Sequence, residues 1–384
     1  MNKKIDSKRK FYCTYTILFL IASSIIFSPF FLEHKSLIWY IDKPNAYNDG
    51  LCQHYNAFVY YGQYLRKIFE NLIFSHQLKV PQWEFGIGYG GDVITTLSYY
   101  VIGDPISFLS LFVPTKYSEF AYSILILFRI YLSGIGFCTY ARKMKCNNSS
   151  VLCAVFAYIF CGFTIFSAVR HPYFINPMIY LPLILLGVEK VFKKENPILY
   201  ISMVFISAIS NFYFFYMLVL LIIIYVIFRY LSFENKTVKE FLFYCIKFLG
   251  FASIGVLMAA FILLPTAMFF LETSRISSNY KAYYFRYSKS YYLAFISRLV
   301  TGRVVGSYTL VNWTPMILVG IVYSFFKTKK DRWLKGLLVL FTVFLCIPYF
   351  GHVFNGFGYI SNRWSFAYSF IAAFILARTI PEFF

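Results

Sequence analysis

Charged residues are scarce in this sequence, and acidic residues are the scarcest. Of 384 residues, 14% are charged and only 16 are Asp or Glu, whereas 59% are hydrophobic and 23% are aromatic. Such a chain cannot cover a soluble domain with polar surface, which excludes the soluble fold classes. The 36 basic residues lie in short clusters between apolar runs rather than on one face, so we expect no nucleic-acid partner. The composition predicts an all-α polytopic membrane protein embedded in a lipid bilayer.

Motifs of several enzyme and metal-site classes are also missing. The sequence contains no HExxH, no GxSxG and no Cys/His ligand spacing, and its eight cysteines form no CxxC pair. We therefore predict neither a metal site nor a disulfide. The glycine cluster from Gly86 to Gly91 lacks the Lys-Ser/Thr of a P-loop and follows no predicted strand. It is interpreted as a tight turn rather than a nucleotide site.

Long apolar runs are abundant. Runs able to cross about 30 Å of hydrocarbon occur at residues 11–32, 119–140, 149–168, 176–192, 241–265, 309–326, 335–350 and 364–380. The segment 197–231 is too long for one helix, and Asn211 near its middle predicts a tight helical hairpin. The total is about ten spans.

The positions of Lys and Arg predict which loops face the cytoplasm. Clusters such as "KKIDSKRK", "ARKMK" and "KTKKDRWLK" alternate correctly if the N-terminus is cytoplasmic, on an uncleaved signal anchor. Counting residues 97–114 as a span would break this alternation and bury Asp104 in lipid, so this segment is interpreted as re-entrant or interfacial. We expect one transmembrane domain, 1–384, with a large first extracytoplasmic loop at 33–118 and a second at 266–308.

The first loop holds seven of the sixteen acidic residues in under a quarter of the chain, so acid–base chemistry is expected there. An interfacial helix lying on the bilayer is predicted from an apolar repeat at helical spacing: Phe58, Tyr61, Leu65, Ile68 and Phe69. Asp49 stands just before this helix. It is either an N-terminal cap or a general base at the membrane surface, and the two roles are compatible.

Six segments spread over nearly the whole chain resemble the bacterial YfhO family of membrane proteins. They are "YNDGLCQHYNAFVYYGQYLRKIF", "PQWEFGIGYGGD", "YYVIGDPISFL", "FAYIFCGFTIFSAVRHPYFINPMIYLPLILLGVEKVFKK", "NFYFFYMLVLLIIIYVIFRY" and "SNRWSFAYSF". That family resembles the lipid-dependent GT-C glycosyltransferases, which take a sugar from a polyprenyl phosphate carrier outside the membrane. Its members are associated with decorating lipoteichoic or wall teichoic acids in Gram-positive bacteria, and they are usually longer than this chain. The resemblance implies a short or C-terminally truncated member with a GT-C-like bundle in the bacterial cytoplasmic membrane.

The same resemblance implies a donor, an acceptor and site residues. The donor would be a polyprenyl-phosphate-linked sugar and the acceptor a teichoic-acid-type polyanion. GT-C enzymes keep an essential acid in the first external loop, where Asp49 matches best and Asp104 is the second catalytic candidate. As a base, Asp49 would take the proton of the acceptor hydroxyl while the lipid phosphate leaves, helped by cations. The substrate-binding candidates are Gln53, His171, Arg298, Arg303, Asn362 and Arg363.

The basic candidates also have structural interpretations. Arg363 could anchor the last helix by snorkelling, Arg298 and Arg303 could attract anionic lipid, and His171 could be a turn residue before Pro172. The sugar, the acceptor and a requirement for a divalent cation stay open.

Two other classes of function stay open beside the enzyme. A transporter or flippase for an envelope precursor would place ionisable residues and broken helices near the bilayer midplane, often in paired repeats. Here the carboxylates gather in one loop and no clear repeat is found, which favours chemistry at the surface. A noncatalytic scaffold for envelope assembly would tolerate Asn at position 49.

Overall fold

The chain folds as a bundle of helices. The computed structural model describes residues 2–39, 49–272, 284–300, 306–328 and 330–383. In chain order the α-helices are α1 (Asn2–Ile26), α2 (Ser28–Leu32), α3 (Asn56–Ser75), α4 (Val93–Leu97), α5 (Ser118–Lys143), α6 (Asn148–Ile159), α7 (Gly162–Arg170), α8 (Asn176–Phe192), α9 (Ile198–Ser210), α10 (Phe212–Leu231), α11 (Val238–Met258), α12 (Ala260–Glu272), α13 (Lys289–Ser297), α14 (Pro315–Lys327), α15 (Arg332–Cys346), α16 (Pro348–Phe354) and α17 (Ser365–Thr379). Among the described residues, one antiparallel hairpin of β1 (Trp83–Glu84) and β2 (Gly91–Asp92) is the only sheet.

Several helices are long and apolar enough to cross a membrane. Four pass by length and composition: Thr115–Lys143, which contains α5, Pro172–Phe192, which contains α8, and both α10 and α11. The number rises to six if two bent pairs each count as one span, α6 with α7 at 47° and α15 with α16 at 99°. These findings confirm an all-α membrane protein. The count of about ten spans stays a prediction, since α9, α12 and α14 are apolar but shorter.

The core is built around α17, in which every residue except Arg378 is buried. Other helices rather than lipid cover its apolar sides, since α17 packs against α6, α8, α14 and α15. Its alanines and serines allow close approach of these neighbours. At the other extreme, α11 lies at the edge of the bundle, with side chains such as Ile246 and Leu257 exposed. This is the surface expected of a helix that faces lipid.

The break between α9 and α10 lies at Asn211, as the sequence predicts. Asn211 has extended backbone angles, and its side-chain oxygen accepts a hydrogen bond from the Phe214 amide at 3.1 Å. This bond caps the start of α10. The Asn211 side-chain amide donates to the carbonyl oxygen of Tyr99 at 2.6 Å. The break in the bundle is therefore tied to the segment that follows α4.

Helix α3 buries its apolar face against protein rather than against the bilayer. Tyr61, Leu65 and Ile68 pack with buried apolar residues of the segment 93–101. A later part of the same loop folds over this face, so protein covers the apolar repeat. The location of α3 at the bilayer surface stays a prediction. Phe69, which the sequence pattern places on the same face, is instead exposed, as is Phe74 near the end of the helix.

The segment 97–114, which is fully described, contains no membrane-spanning helix, as expected. After α4 it continues through turns to a 3-10 helix at Ser107–Phe112. A Cβ atom on Gly103 would overlap the carbonyl oxygen of Ile209 on α9, so only glycine permits this approach. The predicted tight turn in the glycine cluster also forms, as the β1–β2 connection, with Gly88 and Gly90 at positive φ.

The predicted second loop, 266–308, is only partly within the described residues. Helix α12 continues to Glu272, so the predicted start of the loop at 266 lies inside a helix. Residues 273–283 and 301–305 are outside the described ranges, and Arg303 is among them.

Candidate active site

The side chain of Asp49 lies among polar groups from two distant parts of the chain. Its Oδ1 atom accepts a hydrogen bond from Gln53 Nε2 at 3.0 Å, one helical turn later. Its Oδ2 atom lies 3.5 Å from His171 Nε2 and 4.0 Å from Arg170 Nε. We call Asp49, Gln53, His54, Arg170 and His171 the carboxylate cluster. The Asp49 side chain is 21% exposed, so a substrate group can reach it.

The capping interpretation of Asp49 does not hold in the structure. Asp49 precedes a π-helical turn, Gly50–Tyr55, and its side chain makes no capping hydrogen bond there. By contrast, Asp92 in the same loop is an N-terminal cap: its side chain accepts a hydrogen bond from the Thr95 amide at 2.7 Å at the start of α4. The Asp49 carboxylate is directed at other side chains instead.

Pro172 explains why Arg170 and His171 reach the cluster together. A residue before proline avoids the helical conformation, and His171 accordingly leaves α7 with φ −138° and ψ 67°. Arg170 is the last residue of α7, where a cation is favoured by the helix dipole. The sequence-predicted role of His171 as a turn residue is thus compatible with its place beside Asp49.

His171 is in turn held by a second histidine. His54 Nε2 lies 3.0 Å from His171 Nδ1, and both side chains are buried. The His171 ring stacks on Phe174, with centroids 4.6 Å apart. Burial, followed by the nearby guanidinium of Arg129, lowers the pKa of His54 to about 3. Burial, followed by His54 and Arg363, lowers the pKa of His171 to about 2. Both imidazoles are therefore neutral at physiological pH.

Arg363 lies beside the carboxylate cluster in a cage of aromatic rings. Its guanidinium carbon is 4.4 to 5.7 Å from four ring centroids, those of Phe174, Tyr213, Tyr308 and Tyr359. We call these four residues the aromatic cage. Phe174 joins the two groups, because it stacks on His171 and also faces Arg363. No carboxylate pairs with Arg363 among the described residues, and its Nε atom is buried without a hydrogen-bond partner there.

Asn362 anchors the backbone that carries this cage. Its side-chain amide donates to Thr309 Oγ1 at 2.8 Å and to the Tyr287 hydroxyl at 3.1 Å, and it is fully buried. Ser307 and Tyr308 adopt φ values of 47° and 55°, which non-glycine residues rarely do. Such strain persists only where surrounding contacts impose it and is found at functional sites. Here the strained segment holds the Tyr308 ring over Arg363.

Asp104 lies in a separate, buried network. Its carboxylate pairs with Arg129 and accepts from the Ser107 amide at 3.0 Å and from Asn176 Nδ2 at 3.0 Å. Arg129 also donates to Asn176 Oδ1 at 3.0 Å. The Asp104 side chain is 0% exposed, so these contacts occupy a carboxylate that solvent does not reach. The Asp104–Arg129 pair therefore connects the first loop to α5, and Asn176 extends the connection to α8.

The predicted site residues thus fall into three groups. The structure brings Asp49, Gln53 and His171 together and places Arg363 next to them, with Asn362 beneath. Asp104 belongs to the Arg129 network. Arg298, partly exposed, follows α13, while Arg303 cannot be placed.

Six contributors were missed by sequence reasoning: His54, Arg170 and the four residues of the aromatic cage. His54 and Arg170 stand in quoted motifs, "CQHYN" and "VRHPYF", one residue or a few from chosen candidates. The signal that could have found them is their position, since each is a basic side chain next to a chosen candidate in the same motif. For Tyr308 the sequence carries no comparable signal, since its position depends on backbone strain.

The donor set was also tested for a metal ion. Across the described ranges, no group of three or more His, Cys, Asp or Glu residues has the geometry to hold one. Arg170, 4.0 Å from Asp49, already supplies a positive charge at the carboxylate.

The chain is similar to bacterial membrane proteins of one family. It matches the family described as "Bacterial membrane protein YfhO" over residues 18–384. It is also 28% identical over 214 residues to the "Uncharacterized protein YfhO" of Bacillus subtilis (strain 168), a match that covers 55% of this chain and 23% of that relative. No solved structure matches. Because the family match covers almost the whole chain, the resemblance seen in the sequence motifs is confirmed: this chain belongs to the YfhO family of bacterial membrane proteins.

Proposed function

We propose that this chain is a GT-C-like glycosyltransferase of the bacterial cytoplasmic membrane. It transfers a sugar from a polyprenyl-phosphate carrier to a cell-envelope polymer such as lipoteichoic or wall teichoic acid. One observation carries the proposal: an accessible carboxylate, Asp49, lies 4.0 Å from the Arg170 guanidinium and 3.5 Å from His171. The Arg363 guanidinium lies on the far side of Phe174, which stacks on His171. Family membership supports a role in envelope biosynthesis.

The cluster contains the groups that such a reaction needs. A hydroxyl of the acceptor gives its proton to Asp49, and its oxygen forms a bond to the anomeric carbon of the sugar. The bond from that carbon to the phosphate oxygen breaks, and the phosphate leaves with the electron pair. Arg363, which lacks a carboxylate partner within the described residues, stabilises the charge on the leaving phosphate. The aromatic cage offers ring faces against which a sugar can pack.

The proposal also assigns an orientation. The N-terminus is cytoplasmic, about ten spans cross the membrane, and the carboxylate cluster lies at the outer face. This agrees with the charge clusters of the sequence, since Lys and Arg accumulate in cytoplasmic loops. A lipid carrier displayed in the outer leaflet would then meet Asp49 at the membrane surface.

A transporter or flippase for an envelope precursor is the second candidate. Two observations favour it: the bent helix pairs α6–α7 and α15–α16, and a buried ion pair inside the bundle, Asp104 with Arg129. Transporters use such features to bind substrates within the membrane. The exposure of Asp49 and its position next to Arg170 favour the enzyme.

Transfer of labelled sugar tests the proposal directly. Membranes expressing wild-type protein, Asp49→Asn or Asp92→Asn at matched levels are supplied with undecaprenyl-phosphate-linked sugar and teichoic acid. We expect transfer by the wild type and a loss of about 100-fold or more in Asp49→Asn, because removing a general base costs about 10²–10⁴-fold. Asp92→Asn is the matched control, since Asn also caps helices and Asp92 serves as a cap.

The other results identify the competing functions. Equal transfer by the wild type and Asp49→Asn would remove Asp49 from the chemistry. Absence of transfer by the wild type, with movement of the carrier lipid between leaflets, would favour the flippase. Absence of both activities would favour the noncatalytic scaffold.

A further inference from the structure

We infer that His54 is a positioning residue for Asp49: it holds His171 by a hydrogen bond, and His171 in turn directs its Nε2–H at the Asp49 carboxylate across 3.5 Å, an electrostatic contact rather than a hydrogen bond. The inference rests on the proposed function and adds to it a residue that does not touch the substrate. His54 is 2% exposed and stands one residue after Gln53, the other partner of Asp49. Two successive residues therefore hold the carboxylate in place, Gln53 directly and His54 through His171.

The direction of this chain of contacts follows from the charge of Asp49. His171 Nε2 faces Asp49 Oδ2 at 3.5 Å. A lone pair on that nitrogen would be repelled by the carboxylate, so Nε2 must carry the proton. In a neutral imidazole the other nitrogen is then an acceptor. His171 Nδ1 therefore accepts, and the donor 3.0 Å away is His54 Nε2–H.

The far end of the chain agrees with this assignment. Donation from Nε2 leaves His54 Nδ1 as a bare acceptor, and this atom is buried with no hydrogen-bond partner among the described residues. The N–H at His171 Nε2 also has no hydrogen-bond partner among the described residues, but it faces the Asp49 carboxylate at 3.5 Å, which attracts it. The opposite tautomer would move the unpaired N–H to His54 Nδ1 and place a lone pair of His171 against Asp49.

Packing prevents either ring from turning out of the chain. His54 is surrounded by the rings of Tyr100, Tyr173 and Phe174, at centroid distances of 5.3 to 6.4 Å. His171 stacks on Phe174 with an interplanar angle of 15°. Burial is the main reason that both imidazoles stay uncharged, and nearby groups add to it: Arg129 and Arg363 lower the pKa of His54, and His54, Arg363 and Arg170 lower that of His171. The chain thus orients Asp49 without neutralising it.

Two substitutions at position 54 separate hydrogen bonding from packing. Leu has a volume close to that of His but no donor, whereas the amide nitrogen of Gln can occupy the place of Nε2. In the transfer assay, we expect His54→Leu to lower kcat by about 10-fold to 100-fold with little change in KM, as for loss of orientation. His54→Gln should recover kcat to within about 3-fold of the wild type. A folded His54→Leu protein with wild-type kcat, or equal losses in both variants, would overturn the inference.

A spectroscopic measurement tests the chain independently of activity. The sequence has five histidines, so protein labelled with ¹⁵N-histidine in membranes gives a simple solid-state NMR spectrum. We expect two histidines to stay neutral at pH 5 with the proton on Nε2, and their signals to be identified by loss in His54→Gln and His171→Gln. A charged His171 at pH 5, or a proton on its Nδ1, would overturn the inference. Absence of transfer by the wild type would instead overturn the proposed function, while the NMR result still decides the chain of contacts.

Discussion

At the scale of single residues, two largely buried arginines show how surroundings decide what a charge can do. Arg129 is matched by the Asp104 carboxylate and by Asn176. Arg363 is surrounded by aromatic faces, which attract a cation but do not neutralise it. Arg363 donates from Nη1 to the Tyr213 hydroxyl at 3.4 Å, while its Nε has no hydrogen-bond partner among the described residues, so the guanidinium can still donate to an incoming anion. Arg129 is therefore matched within the fold, whereas the proposed function assigns Arg363 to an anionic ligand.

This difference predicts that Arg363 cannot be replaced by Lys. A lysine keeps the charge but loses the planar donor fork and much of the stacking, so Arg363→Lys should lower kcat/KM for the donor lipid by about 100-fold. Arg142→Lys is the matched control, because Arg142 also lies over aromatic rings, those of Phe11 and Tyr12, but in the last turn of α5. Kinetics with labelled donor would check this. Near-normal kinetics of Arg363→Lys would leave Arg363 as a membrane anchor.

At the scale of elements, the Asp104–Arg129 pair fastens the first loop to the bundle. It joins the segment after α4 to α5, and Asn176 extends the contact to α8. Gly103, next to Asp104, makes the close approach to α9. Four elements therefore meet at one buried ionic contact, and the carboxylate cluster depends on their relative positions.

Replacing one member of the Asp104–Arg129 pair should therefore destabilise the protein more than replacing both. Arg129→Met leaves a buried carboxylate without its partner and should destabilise the protein by about 3–5 kcal/mol. The double variant Asp104→Asn with Arg129→Met should recover much of that loss. Thermal unfolding in detergent would measure both. If Asp104→Asn unfolds like the wild type yet has lost transfer, Asp104 is a catalytic residue after all.

The elements also show what the sequence could and could not predict. The break at Asn211 and the turn around Gly88 and Gly90 were predictable, because local residue chemistry determines both. The covering of α3 was not, since a repeat of apolar residues reads the same against lipid as against protein. The partnership of His54 with His171 depends on residues 117 positions apart. Only tertiary packing brings such groups together.

At the scale of the whole molecule, the proposed orientation has a direct test. Single-cysteine variants at Tyr89, the exposed tip of the β1–β2 hairpin, and at Lys194, in the exposed turn after α8, are made in a chain whose eight native cysteines are replaced by Ala. A membrane-impermeant maleimide should label position 89 in intact cells and position 194 only after permeabilisation. The reverse pattern would put the carboxylate cluster on the cytoplasmic side and exclude the proposed reaction with an outer-leaflet carrier.

The burial of α17 has a consequence for biogenesis. Among the described helices, α17 is translated after α6, α8, α14 and α15, against which it packs. Until α17 has been made, α6, α8, α14 and α15 lack the helix that packs between them. These helices therefore enter the membrane before they reach their final packing. Arg363 arrives with α17, immediately before its first turn. Packing of α17 into the interior and completion of the aromatic cage around Arg363 are therefore one event, and under the proposed function the site can act only after this core has closed.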